Sequence, residues 1–547
     1  MNLNSFFLAP FSFVLTTSIS SHTLPRIYRR PRLFSMTNNS NESVCPLMSE
    51  PSLTLLAISD LHYTGMARPQ HNALQQRGEL ARILLRKVFL RLKHMGIKPD
   101  LTVLLGDLTE DGSDRQTTLD LISLNSELMN SGIPTLTLPG NHDLPSEVFN
   151  SFFACTPGLH ELNGYGFVVF NDMYTENHGC TRSEEALTMT RKIAAEHPGL
   201  PLIALQHPPI YPAIDSHYPY RPENASEVIS SYQNAGVFLS LSGHYHKGQR
   251  ARIHEGVLYH TVPALCEAPF RFSLIHLKGK QVEIEELSLT NTISTLCDCH
   301  CHTEHAYCGT DVDTAACIAL SQAMGTSRLC LTEHAFQLYF DKKEAMRFDW
   351  QSAPEKVHAV WETPQRNRMS AYRKFAESLR SPFVKIGLEV DLFDGGNLLL
   401  APEDAEADWD LLVGAVHFIE GFTPGKTTQK EAEKLFIRDV EHLVEHNIQI
   451  LAHPFRFFAR NGLDKPSNLY PIVANLLADS GVAAEINFHT YRPDPEFIRQ
   501  CAEKGVKIAF ASDTHDLAEA GEFWPHIQLL KQAGISPQKY NETLFSI

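Results

Sequence analysis

Leu53-Thr54-Leu55-Leu56-Ala57-Ile58-Ser59-Asp60-Leu61-His62 is an apolar run that closes on a carboxylate and an imidazole. Continuous apolar runs of this length read as strands buried on both faces. The figure recurs along the first half. Residues 101–105 end in Gly106-Asp107, and 135–138 end in Pro139-Gly140-Asn141-His142-Asp143. Residues 202–205 end in Gln206-His207-Pro208-Pro209, and 237–241 lead into Gly243-His244-Tyr245-His246. Helical spacing over 73–95, stopping at Gly96, and over 114–130, stopping near Gly132, fills two of the intervals. Strands at 166–171 and 257–262 and a hairpin at 272–289, turning on Lys278-Gly279-Lys280, are expected to complete a second sheet. Polar residues thus gather just past strand ends, where α/β folds place their sites.

Each cluster alone is ordinary. Asp-x-His and Gly-Asp are common turns, and Gly-Asn-His-Asp supplies residues that tolerate positive φ. His244-x-His246 says more, because a two-residue period aims both imidazoles at one face. Five such strand ends in succession suit a pair of divalent cations, with Asp107 able to bridge them through its two oxygens.

These motifs, in this order, resemble the calcineurin-like metallophosphoesterases over residues 51–292. Ile58-Ser59-Asp60-Leu61-His62, Leu108-Thr109-Glu110-Asp111-Gly112, His207-Pro208-Pro209 and Gly243-His244-Tyr245-His246 are most similar to class III cyclic-nucleotide phosphodiesterases. The resemblance implies a four-layer αββα sandwich. It gives one metal to Asp60, His62, Asp107 and His246, and the second to Asp107, Asn141, His207 and His244. His142 takes the role of leaving-group acid or transition-state stabiliser.

After residue 289 the rhythm restarts. In Cys297-Asp298-Cys299-His300-Cys301-His302, alternation places Asp298, His300 and His302 on one face and the cysteines on the other. Residues 328–332 run into Glu333-His334, 384–388 into Glu389, and 411–416 into His417. Residues 448–452 run into His453, 482–484 into Glu485-Ile486-Asn487, and 506–511 into Ser512-Asp513-Thr514-His515. Helical segments at 313–324 and 430–445 lie between. Repeated strand–helix units with chemistry at the strand ends describe a parallel barrel. Cys297, Cys299, Cys301 and Cys308 lack the paired spacing of structural zinc sites, so packing behind the strand is expected of them.

Residues 296–547 resemble the PHP (polymerase and histidinol phosphatase) superfamily, which implies a distorted (β/α)7 barrel with a trinuclear centre. The resemblance assigns His300, His302, Glu389 and Asp513 to one metal. Glu389, His417 and His453 go to a second, and His334 and His515 to a third. The third position usually takes another histidine shortly after the His-x-His, and His305 is the nearest. Arg456 and Arg492 are candidate phosphate clamps, since a guanidinium matches two phosphate oxygens.

With 547 residues the chain exceeds a single core. A net charge of −16 argues against non-specific grip on nucleic acid, while bound cations would still allow phosphate esters. The 11 cysteines in so long a chain fit a reduced, cytoplasmic protein better than a disulfide scaffold. Residues 1–50 read as a disordered extension, or as sequence upstream of a start at Met36 or Met48. Their apolar stretch lacks the basic start of a signal peptide and is too broken to span a bilayer.

The expectation is a metal-dependent phosphoester hydrolase using Mn, Fe or Zn, with two ions in the first half and two or three in the second. Its substrate would be a small phosphorylated metabolite or nucleotide. Either both halves are catalytic, or one serves as a phosphoryl-binding or regulatory module.

Overall fold

The ligand-bearing strands of the first half divide between two sheets. The computed structural model describes residues 50–65, 76–153, 155–175, 179–363 and 367–547. The expected extension before Glu50 and the start of the first helix at 73–75 lie outside them. One sheet has the order Gln281–Ser288, Arg271–Lys278, Ser52–Ile58, Leu101–Leu105, Thr135–Leu138. The other runs Gln249–His254, Val257–Thr261, Val237–Ser242, Leu202–Leu205, Tyr165–Val169, Gly158–Leu162.

The hairpin therefore belongs to the first sheet, not the second. Its strand Arg271–Lys278 pairs antiparallel along Ser52–Ile58, from Lys278 opposite Ser52 to Ser273 opposite Ala57. Leu274, Ile275 and Leu277 are all buried there. An apolar run marks a strand, but it does not name the edge that the strand joins.

Leu55, Val103, Phe167 and Leu239 pack between the two sheets. Helices Ala81–Met95 and Thr117–Ser131 cover the outer face of the first through Leu84, Val88, Leu121 and Leu124. Helices Glu184–Glu196 and Ala225–Ala235 cover the second through Leu187 and Val228. The result is a four-layer αββα sandwich.

In the second half, strands Cys297–Cys301, Arg328–His334, Val384–Val390, Leu411–Gly414, Ile450–Leu451, Ala483–Asn487 and Ile508–Ala511 close into a parallel barrel in chain order. Asp298 opposite Phe510 completes the ring. The expected cysteine face is broken by a register irregularity between Asp298 and Cys301. Cys297 and Cys299 pack with Cys330, Val413, Ile450 and Ala509, whereas Cys301 packs with Leu329 and Leu331.

The two halves share a core. Leu56, Leu84 and Val88 belong to the same apolar cluster as Cys317, Leu320, Met324 and Leu517. Residues 50–547 accordingly form one compact unit. The Ala81–Met95 helix carries the polar ties. Buried Lys87 donates through Nζ to the carbonyls of Ala518 (3.0 Å) and Ala520 (2.7 Å). Arg91 grips Glu522 at 2.6 and 3.1 Å and donates to the Ser288 carbonyl at 2.8 Å. Arg86 pairs with Asp311 and Asp516.

Removing one partner of a buried ion pair strands the other. Arg91→Ala is expected to cost about 3–5 kcal/mol of unfolding free energy, read as a fall in denaturant midpoint. The apolar double replacement Arg91→Met with Glu522→Leu should cost far less.

Candidate metal centres

The chain turns sharply as it leaves the ligand-bearing strands. Asp60 (φ 54°), His62 (46°), Asp107 (50°), His244 (66°), His453 (30°) and Asp513 (48°) all adopt left-handed backbone. Such conformations cost of order 1–3 kcal/mol each and persist only where the surroundings enforce them. Tight approach enforces them here. A Cβ on Gly243 would collide with Ser59 Oγ and the Asp60 carboxylate, so the backbone can pass only as glycine.

In the first half, Asp107 lies at the centre. Its Oδ2 is 3.1 Å from His207 Nε2 and 3.7 Å from His62 Nε2, and its Oδ1 accepts from the His142 amide at 2.9 Å. His246 Nε2 stands 3.1 Å from His62 Nε2 and 3.6 Å from Asp60. Asn141 Oδ1 is 3.2 Å from His207 Nε2, and the His244 ring is 4.7 Å from that of His207. The expected residues of the first half are thus brought together, contributed by both sheets.

Their far sides are anchored. Nδ1 of His62 donates to Glu110 (2.7 Å), Nδ1 of His246 to Glu267 (2.7 Å), and Nδ1 of His207 to the Leu105 carbonyl (2.6 Å). A fixed Nδ1–H leaves the Nε2 lone pair facing inward. With no cation in place, burial pushes His62 and His207 down, but Glu110 and Asp107 for His62, and Asp107 for His207, carry both to about 9, so a metal ion would bind by displacing the inward proton on Nε2. Burial pushes the Asp107 carboxyl up, yet His207, His62 and His142 outweigh it and hold it well below the usual range.

In the barrel, Glu389 plays the corresponding part. Its Oε1 is 2.9 Å from His453 Nε2 and 3.3 Å from His417 Nε2. Its Oε2 is 2.5 Å from His334 Nδ1, 3.4 Å from His300 Nε2 and 3.7 Å from His302 Nε2. Asp513 Oδ1 lies 2.9 Å from His302 Nε2. Anchors recur: His300 Nδ1 donates to Glu485 (2.8 Å), and His417 Nδ1 to Asp391 (3.0 Å). Burial raises Glu389 and Asp513, but His334, His417 and His300 hold the first well down, and Arg456 and His300 the second.

Three expectations change. His305 does not join the cluster: its ring packs against Phe375 (5.0 Å) and Tyr372 (5.7 Å), and its amide donates to Thr303 Oγ1. Cys308 does not pack behind the strand; its Sγ lies 3.1 Å from His515 Nε2. Arg456 is buried and holds Asp513 Oδ2 (2.7 Å) and Asn487 (2.6 Å), so it orients a ligand rather than clamping substrate. Arg492 lines a cavity of about 680 Å³ with Lys93, His94, His489 and Phe488.

The anchoring carboxylates Glu110, Glu267, Glu485 and Asp391 escaped the sequence reading, as did Tyr218 and Tyr220, whose rings lie 5.6 and 5.3 Å from His244. Glu333 and His489 belong with them. Glu333 approaches His302 Nδ1 at 3.3 Å, and His489 stacks on His515 at 4.0 Å. Glu333 and Glu485 stand at strand ends and Glu110 in the motif after Asp107, but sequence alone gives none of them an anchoring role; nothing local marks the rest.

Divalent cations fit both clusters. Nε2 of His244, His300 and His302 and Oε2 of Glu389 are buried without a hydrogen bond. Such an orphan costs about 1–3 kcal/mol, and several turned inward together describe a cation's donor set. A family model described as calcineurin-like phosphoesterase matches residues 53–248, and one described as PHP domain matches 298–489.

The chain joins a calcineurin-like phosphoesterase domain to a PHP domain. It is a metal-dependent phosphoester hydrolase. A probable histidinol-phosphatase of Deinococcus radiodurans is 28% identical over 249 residues, 41% of this chain and 88% of the relative. A cAMP/cGMP dual specificity phosphodiesterase of Mycobacterium tuberculosis is 24% identical over 223 residues, 40% of this chain and 68% of the relative. A dimetal phosphatase structure from Danio rerio shares 16% identity at a TM-score of 0.36, covering 44% of this chain and 99% of that one.

The anchors of the phosphoesterase and PHP centres give a direct check. Glu110→Gln should weaken metal binding at the first centre, and Asp391→Asn at the second, each by about 10- to 100-fold in competition with a chromophoric chelator. Each change should leave the other centre's affinity unaltered.

Proposed function

We propose that the chain is bifunctional, with a phosphodiesterase-type site in residues 51–292 and a phosphomonoesterase-type site in residues 296–547. One observation carries this reading. Two separate clusters each gather inward-facing imidazoles around a buried carboxylate, Asp107 in one and Glu389 in the other. Divalent ions held there (Mn, Fe or Zn, two at Asp107 and two or three at Glu389) would activate water and offset charge on phosphoryl oxygens.

The chain's own groups do the rest. His142 Nδ1–H donates to the Glu110 carbonyl at 2.9 Å, which fixes the ring so that Nε2, in the imidazolium form, hands its proton to the leaving oxygen. The rings of Tyr218 and Tyr220 flank His244 and offer a flat π-face to a nucleobase. Nucleotide-like diesters, cyclic ones included, suit that wall, in keeping with the activity for which the mycobacterial relative is named.

Beside the second centre, Lys93 and Arg492 face one cavity, where an ammonium and a guanidinium match a phosphomonoester dianion. The partner is accordingly a small phosphorylated metabolite or nucleotide rather than nucleic acid, given the charge of −16. Among the described residues no helix is long and apolar enough to cross a membrane. A cytoplasmic setting fits 11 cysteines spread thinly through 547 residues.

Separate substitutions test the division. Asp107→Asn should lower hydrolysis of bis-nitrophenyl phosphate about a hundredfold or more and leave mono-nitrophenyl phosphate hydrolysis intact. Glu389→Gln should do the reverse. If either change abolished both reactions, the two-site reading would fail.

A further inference from the structure

Cys308 stands where sulfur has little structural reason to be. The other described cysteines are buried, whereas Cys308 is half-buried at the mouth of the barrel. Its Sγ lies 3.1 Å from His515 Nε2 and 3.4 Å from His334 Nε2. Gln337 Nε2 donates to the same sulfur at 3.1 Å.

Hydrogen bonding does not account for this arrangement. His515 Nδ1 donates to the Asp513 carbonyl at 2.7 Å, so its Nε2 carries a lone pair. A cation bound to His334 through Nε2 requires the ring proton on Nδ1, and Glu389 Oε2 stands 2.5 Å away on that side. One thiol has one proton and can serve only one of the two nitrogens. The ring nitrogens of His302, His334 and His515 lie within 4.8 Å of one another, and the buried Nε2 of His302 has no hydrogen bond. Sulfur and imidazole lone pairs converge on one point.

We propose that Cys308 is a thiolate ligand of a third metal position, shared with His334 and His515. The proposal rests on the reading of the barrel as a metal centre and adds a donor that the family resemblance does not supply. The distances suit it. Tetrahedral zinc, with Zn–S near 2.3 Å and Zn–N near 2.0–2.1 Å, separates sulfur from nitrogen by about 3.6 Å. The observed 3.1 and 3.4 Å require the ligands to move apart by only a few tenths of an ångström. The thiol proton leaves to solvent as the sulfur–metal bond forms. Gln337 keeps its hydrogen bond to the sulfur, and three protein ligands leave a fourth position open to solvent or substrate. A soft thiolate also makes this position prefer zinc to manganese, while the oxygen-rich positions around Glu389 discriminate less.

Cobalt supplies the test. Full-length metal-free protein titrated with Co(II) is expected to develop a near-ultraviolet sulfur-to-cobalt charge-transfer band. Cys308→Ser should lose the band together with about one metal equivalent. Cys308→His should lose the band but keep the metal, because imidazole can replace the thiolate. X-ray absorption of the zinc-loaded wild type should show a sulfur shell near 2.3 Å that is missing from both variants. A wild-type spectrum with neither band nor sulfur shell, at a cobalt content that Glu389→Gln lowers, overturns the thiolate ligand and leaves the barrel centre standing. A cobalt content that Glu389→Gln does not change overturns both.

Discussion

Everything in this molecule is arranged around imidazole lone pairs aimed at a buried carboxylate. Asp107 and Glu389 each sit among histidines whose opposite nitrogens are tied down, so the inward-facing atoms crowd one another and several of them make no hydrogen bond. Such a cluster is costly until positive charge arrives. The left-handed backbone at Asp60, His62, Asp107, His244, His453 and Asp513 adds to that cost. The strands beneath must therefore be stiff, and burial supplies the stiffness: every residue of Leu101–Leu105 and of Ala483–Asn487 is buried.

Stiffness is shared across the chain. The Ala81–Met95 helix, which follows the first ligand pair, packs into the same apolar cluster as the barrel's Cys317, Leu320 and Leu517. Its Arg86 reaches Asp516, the neighbour of His515, and its Lys93 and His94 line the cavity that also holds His489 and Arg492. The first half thus builds part of the wall beside the second centre. The shared core gives a physical reason for the two halves to form one chain.

Strand ends were legible because burial on both faces leaves an uninterrupted apolar run, and chemistry follows where the run stops. From this pattern the sequence disclosed the barrel, the sandwich and the histidines that face inward. Pairing was less legible. The 271–288 hairpin is apolar enough for either sheet, and only antiparallel contact along Ser52–Ile58 decides between them. Anchors such as Glu267 and Asp391 lie on connecting segments with no local mark. His305 looked right by residue type and wrong by spacing. The structure turns it toward Phe375 and brings Cys308 to His515 instead. Arg456 looked like a clamp because guanidinium matches phosphate, but the same fork matches Asp513.

The central claim is that one chain holds two metal centres, one on each shared carboxylate. Anomalous diffraction from crystals of the full-length protein, recorded on either side of the metal absorption edges, addresses it most directly. The account predicts anomalous peaks beside Asp107 and, separately, beside Glu389. A well-ordered crystal with peaks at one cluster only, after both have been offered metal in excess, would contradict it.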